Sequence, residues 1–438
     1  MGWNPLLSGA VRDRALLSAA ALMRLMASAE VVGPRSASLA SGSAGLAVCH
    51  AVAARADQDE RGQGGQRGQR GQRGQRGERS REMAAASLDG AIEVLASQPL
   101  SLSLYSGFPG IAWAADLVGR LLSDPAGDRD PGDRNDDIDL ALAGAVARYP
   151  ASGPYDLIDG LTGLGVYALA RWPRPAAVEC LAAVVEQLAG RARADAGGVY
   201  WPTAAAALPG HLRRLYPGGA VDTGVAHGMA GILPLLARSS ALGVHQDTAR
   251  PLLEGAIRWL LSHLVDSPAG RTAPALVAVG VAPAPARSAW CYGDPGVALA
   301  LLLAARDAGE PDWELAGTEL ALQAASRPPE LTGVSDAGLC HGAAGLAHLF
   351  ARMHQLTGRP ELATAAVSWT ERTLDMCGPV TEGGGGLVCG PSAAWNGPGV
   401  LEGAAGIALA LMAGCLPAEP EWDQMLLVST GLPAPVSA

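Results

Sequence analysis

The chain has 438 residues, a formal net charge of −10, 49% hydrophobic residues and only 4% aromatic ones. An acidic chain without a basic face argues against nucleic acid or an anionic membrane as the general partner. Much of the apolar content is Ala, which suits close helix packing better than a β-sandwich, so the expected fold class is all-α. The start, Met1-Gly2-Trp3-Asn4-Pro5, has no basic flank leading into an apolar core, and apolar stretches such as 297–305 are too short to span a bilayer. Seven cysteines in no dense framework fit a reducing compartment better than disulfides. A soluble cytoplasmic protein is expected, not an integral membrane protein.

Along the chain, Gly-x-x-Gly followed by an apolar residue occurs seven times, at 42–45, 107–110, 160–163, 228–231, 293–296, 342–345 and 403–406. A run with few charges follows each copy, such as Ile407-Ala408-Leu409-Ala410-Leu411, and a helix apolar on nearly every side must be buried on every side. A second helix with a polar face precedes each copy, over 11–28, 83–97, 137–149, 175–195, 250–265, 313–326 and 360–376. Alternation of the two kinds predicts an open solenoid or a closed ring of repeats, one domain over 1–438. Three segments break the rhythm: a Gly-Gln-Arg-rich insert over 57–82 that should be disordered, a solvated loop over 123–139, and an irregular lid over 196–222. Residues 417–438 read as a C-terminal tail.

Chemistry gathers at two neighbouring copies. In Arg287-Ser288-Ala289-Trp290-Cys291-Tyr292-Gly293, a cysteine stands just ahead of its helix, and in Leu339-Cys340-His341-Gly342 a cysteine and a histidine do the same. Neighbouring repeats would bring Cys291, Cys340 and His341 to adjacent helix N-termini, where partial positive charge favours thiolate. Two thiolates and an imidazole suit Zn²⁺ and leave the fourth tetrahedral position open, which implies catalysis. Cys49-His50 lies several residues inside its helix and reads as structural, as do Cys180, Cys377, Cys389 and Cys415. Asp156 and His227 occupy the same stretch of other repeats. Either can be a cap or a satisfied polar group, but His227 is the stronger candidate for exchanging a proton near neutral pH.

Trp-Cys-Tyr-Gly-Asp-Pro-Gly at 290–296, Cys-His-Gly-Ala-Ala-Gly at 340–345, Ala-His-Gly-Met-Ala-Gly at 226–231 and Tyr-Asp-Leu-Ile-Asp-Gly-Leu-Thr-Gly at 155–163, within seven repeats, resemble the lanthionine synthetase C-like family, most closely its stand-alone bacterial lanthipeptide cyclases. The resemblance covers roughly 36–412. It implies an α/α toroid, one catalytic zinc on Cys291, Cys340 and His341, His227 as active-site histidine, and matching positions at Asp156, Arg287 and Tyr292. The implied reaction is Michael addition of Cys thiols to dehydroalanine or dehydrobutyrine in a dehydrated precursor peptide, closing thioether rings. Partners would be that peptide and, in a complex that could lie at a membrane, a dehydratase and an exporter. Asp222-Thr223 departs from the Asn-Leu common in the family. Two alternatives share these features in part: a relative that adds glutathione or another thiol to dehydroamino acids, and a non-catalytic helical-repeat binding protein.

Overall fold

A computed structural model describes residues 2–27, 33, 35–62, 67–123, 135–268, 270–378 and 397–431. Amphipathic and apolar helices alternate as expected. α1 (Gly9–Ala27) leads to α2 (Ser43–Gly62), α3 (Arg67–Ser97) to α4 (Phe108–Leu122), α5 (Asp136–Ala147) to α6 (Leu161–Ala170), and α7 (Pro175–Arg191), after the short α8 (Gly210–Leu215), to α9 (Ile232–Ala241). The series continues with α10 (Gln246–Ser262) and α11 (Asp294–Ala308), α12 (Pro311–Ser326) and α13 (Ala343–Thr357), and α14 (Pro360–Cys377) and α15 (Ala404–Cys415). The periodicity explains the difference within each pair. α12 buries Gly317, Leu320, Ala321 and Ala324, one stripe at helical spacing, whereas every residue of α11 from Asp294 to Ala305 is buried.

Short strands fill the stretch expected to be an irregular lid and continue beyond it. β1 (Arg193–Asp195) pairs antiparallel with β2 (Gly198–Tyr200), and β3 (Pro202–Thr203) with β4 (Ala220–Asp222). β5 (Val265–Ser267) pairs with β6 (Gly270–Thr272), and β7 (Leu276–Val277) joins β4 in the register Asp222 to Leu276. That pairing fixes where the β4 chain ends and the fourth Gly-x-x-Gly loop begins.

The described residues divide into two compact units, 1–138 with 335–348 and 366–422, and 139–334 with 349–365 and 423–438. In the first, α2 packs on α3, α4 and α15, and α1 covers α15. In the second, α6 packs on α7, α9 lies between α10 and α11, and α12 covers α11.

Each Gly-x-x-Gly opens an apolar helix, its first glycine immediately ahead of the helical turn. Two positions show why no other residue serves. A Cβ on Gly296 would overlap the carbonyl oxygen of Trp290, and one on Gly345 that of Leu339, each six residues upstream. Gly293 also needs a φ of 85°, which an L side chain adopts only under strain. The chain thus doubles back before each helix, and the residue two before the first glycine bonds to its equivalent in another repeat. In the second unit, Leu157 and Ile158 donate to the Ala226 carbonyl at 3.1 and 3.3 Å, and Val225 and Ala226 to that of Cys291 at 3.0 and 3.4 Å. In the first, Cys340 donates to Leu401 at 2.7 Å, Val400 and Leu401 to Ala40 at 2.8 and 3.2 Å, and Ala40 to Tyr105 at 3.1 Å.

Two expectations from the sequence meet a different backbone. Over 57–82, helix runs to Gly62 and again from Arg67, while 63–66 lie outside the described residues. Gln and Arg propagate helix well, and α3 is anchored further on by buried Ala84 and Ala91, so the lack of an apolar face does not prevent helix there. The stretch read as a tail packs: Trp422, Met425, Leu426, Leu427 and Val428 are buried, and buried Arg352 donates to Asp423 at 2.6 Å. Residues 124–134 of the expected solvated loop, and Cys389, lie outside the described residues.

Asp294, the first residue of α11, is fully buried and bridged at 2.8 Å by both Arg327 amino groups, with Thr272 donating at 3.0 Å. Arg327 also donates to Ser288 at 2.7 Å, tying the Trp-Cys-Tyr loop to the same cation. Replacing Asp294 by Ala leaves a buried guanidinium without its anion, a loss of about 3–5 kcal/mol. Denaturant unfolding at neutral pH should show a fall of that size; a change below about 1 kcal/mol would mean the pair is dispensable.

Candidate functional site

The residues just ahead of the first glycine supply the polar side chains. Counting back from it, the second position holds Cys291 and Cys340, and the first holds His227, Tyr292 and His341. The repeat register therefore explains why these types converge. Ligand atoms of Asp156, Asp159 and His227 all lie within 4.8 Å of one another, whereas Cys340 and His341 are adjacent in the first unit and Cys291 stands at the position matching Cys340 in the second. Cys291 is buried, while Cys340 and His341 are half-buried. Two cysteine sulfurs and an imidazole form a borderline-soft donor set that fits zinc, so this group could hold a metal ion.

Asp156 and His227 form a second polar arrangement. His227 Nδ1 lies 2.8 Å from Asp156 Oδ2, and Asp156 Oδ1 accepts the Asp159 backbone N–H at 2.7 Å, which holds the carboxylate still. Burial works against the charged ring, but the hydrogen bond and charge of Asp156, with Asp222 and Asp159 behind them, outweigh it and raise the His227 pKa above the ordinary imidazole value. With Nδ1 engaged and the side chain 44% exposed, Nε2 is the nitrogen left for a substrate.

Asp222 was not singled out as a site residue by the sequence, yet it stands in the middle of this network. It ends β4, is buried, and accepts Gly224 N–H at Oδ1 and the Tyr292 hydroxyl at Oδ2, both at 2.9 Å. Burial pushes its pKa up to about 6 against the pull of these hydrogen bonds and of His227. The Tyr292 pKa rises as well, first through burial and then through the Asp222 charge, so its proton stays on the oxygen and points at Asp222. Tyr292 is therefore held as an acceptor. Arg287 is exposed, and among the described residues nothing ties its guanidinium to these groups. The signal for Asp222 was present as register, six residues ahead of Gly228, but its neighbour Tyr292 comes from seventy positions away.

The remaining described cysteines are buried: Cys49, Cys180, Cys377 and Cys415. Burial pushes the Cys180 and Cys415 thiols up to about 12 and Cys49 higher still, which keeps them protonated. None of the six described cysteines forms a disulfide. No described helix is long and apolar enough to cross a membrane.

A family model described as Lanthionine synthetase C-like protein matches residues 33–427. The chain belongs to the lanthionine synthetase C-like family. The structure of nisin cyclase superposes with a TM-score of 0.68 at 17% sequence identity, covering 91% of this chain and 93% of that one. That likeness shows the fold of this family member, an all-α α/α toroid.

The buried carboxylate carries a pH signature. Asp222 titrates near 6 in the folded chain and about 3.9 unfolded, so its contribution to stability is fully present below about pH 4 and is lost as pH rises through 6. A shift of this size corresponds to about 2–3 kcal/mol between those limits. Asp222→Asn should remove it, so the stability difference between wild type and variant should change by that amount when unfolding is followed from pH 4 to 7. A pH-independent difference would contradict the assignment.

Proposed function

We propose that this family member is a zinc-dependent lanthipeptide cyclase that closes (methyl)lanthionine rings by adding Cys thiols to dehydroalanine or dehydrobutyrine within a dehydrated precursor peptide. The observation that carries the reading is the donor set of Cys291, Cys340 and His341, which stand one or two residues ahead of the first glycine of their repeats, together with the hydrogen-bonded pair of Asp156 and His227. Such a set has no use in a helical repeat that only binds.

A free thiol with a pKa near 8.5 is only about 3% thiolate at pH 7. When bound, zinc supplies the acidification that holds a substrate sulfur as thiolate. Cys291, Cys340 and His341 would hold the ion, and the two ligand thiolates would offset its charge so that a substrate sulfur would stay nucleophilic. Addition of sulfur to the β-carbon leaves an enolate that needs a proton on the α-carbon. His227 holds that proton at Nε2, because Nδ1–H is committed to Asp156, and its raised pKa keeps the ring charged close to neutral pH. Asp222 accepts the Tyr292 hydrogen, so Tyr292 offers the substrate only an acceptor oxygen. Arg287, exposed six residues ahead of Gly293, is assigned to the peptide. The substrate requires an enzyme that dehydrates Ser and Thr residues upstream.

Mass spectrometry after thiol alkylation tests this reading, because ring closure changes no mass while every unreacted Cys gains the label. His227→Ala should retain zinc and lose about a hundredfold or more in cyclisation rate. Cys340→Ala should lose the metal and keep its helicity. Zinc lost with His227, full zinc occupancy in Cys340→Ala, or wild-type protein that leaves every Cys of a cognate precursor free to alkylate would each overturn part of the scheme.

A further inference from the structure

We infer that Asp336 is a positioning residue for the metal site, setting the tautomer and ring orientation of His341. The inference rests on the zinc reading above and deepens it. His341 Nε2 lies 3.5 Å from Asp336 Oδ2, with both side chains largely buried, at 20% and 17% exposure. A neutral imidazole carries one proton, and a carboxylate facing Nε2 draws it there. Nδ1 then keeps its lone pair for the cation. The 3.5 Å separation is at the outer limit of a hydrogen bond, and a cation at Nδ1 would make Nε2–H a stronger donor and tighten it.

The loop is built around this carboxylate. Asp336 Oδ1 accepts Gly338 N–H at 2.7 Å, and its backbone carbonyl accepts Ala343 N–H at 2.9 Å. A Cβ on Gly342 would run into Oδ1, so the glycine that opens α13 is small where the aspartate must pass. Asp222 repeats the arrangement six residues ahead of Gly228: Oδ1 takes the N–H two residues on and lies against that glycine, while Oδ2 faces a ring, here Tyr292. Two repeats therefore use the same position to aim a carboxylate oxygen at a site ring. A purely local turn would not need the second oxygen to face the site in both.

Two variants separate orientation from loop structure. In Asp336→Asn the amide oxygen can still accept Gly338 N–H, but the atom facing His341 becomes an N–H donor. In Asp336→Ser the hydroxyl keeps the turn and the side chain at 336 no longer reaches His341. Competition with a chromophoric chelator should show zinc bound about 10–100-fold more weakly by both variants. The metal-free proteins should melt at the wild-type temperature, and Co²⁺ loaded in place of zinc should show an altered visible ligand-field spectrum. Affinities within twofold of wild type with an unchanged Co²⁺ spectrum would overturn the inference. So would a weakening matched by an equal destabilisation of the metal-free chain, since the carboxylate would then only hold the loop. Wild-type protein that takes up no zinc would instead remove the zinc reading itself, and the inference with it.

Discussion

Where six of the seven apolar helices begin, a glycine lies against the backbone carbonyl six residues before it, as Gly296 does against Trp290 and Gly345 against Leu339. No side chain fits in that contact, so the chain doubles back and presents two residues at the helix start. The backbone hydrogen bonds from Ile158 to Ala226 and from Ala226 to Cys291, and from Cys340 through Leu401 and Ala40 to Tyr105, then set the spacing between equivalent positions. Cys291 belongs to the first of these runs and Cys340 to the second. The main chain fixes where each cysteine stands, at a helix N-terminus whose partial charge favours thiolate.

Charge inside this frame is arranged in two separate ways. Asp294 with Arg327, Asp139 with Arg171, and Asp423 with Arg352 are buried, hydrogen-bonded pairs that fix loops and helix ends. Asp222, Asp156 and Asp159 are instead gathered around one histidine. The hydrogen bond and charge of Asp156, with Asp222 and Asp159 behind them, raise the His227 pKa, while burial pushes Asp222 up. Structural pairs neutralise each other, whereas the carboxylates around His227 outnumber their cation.

Much of this was legible in the sequence because it is periodic. Seven glycine pairs and the alternation of amphipathic with apolar stretches locate the helices to within a few residues, except that α3 begins earlier, and the cysteines and histidines betray themselves by standing at matching distances from those glycines. Asp222 and Asp336 are equally regular, but an aspartate six residues before a helix also reads as a turn residue, and only its second oxygen shows more. Pairs such as Asp139 with Arg171, and the packing of 421–428, join segments far apart in sequence and leave no local pattern. The Gly-Gln-Arg run misleads for the opposite reason. Its composition is that of a disordered linker, but Gln and Arg accept a helix that begins and ends in anchored neighbours.

The central claim is that Cys291, Cys340 and His341 hold one zinc with a position open to a substrate sulfur. X-ray absorption at the zinc edge of the purified protein tests it most directly, because it counts sulfur and lighter donors at the metal. The account predicts two sulfurs at about 2.3 Å and two nitrogen or oxygen donors at about 2.0 Å. Addition of a thiol peptide should replace one light donor by a third sulfur. A metal surrounded only by nitrogen and oxygen, or a sulfur count that does not change with the thiol, would contradict it.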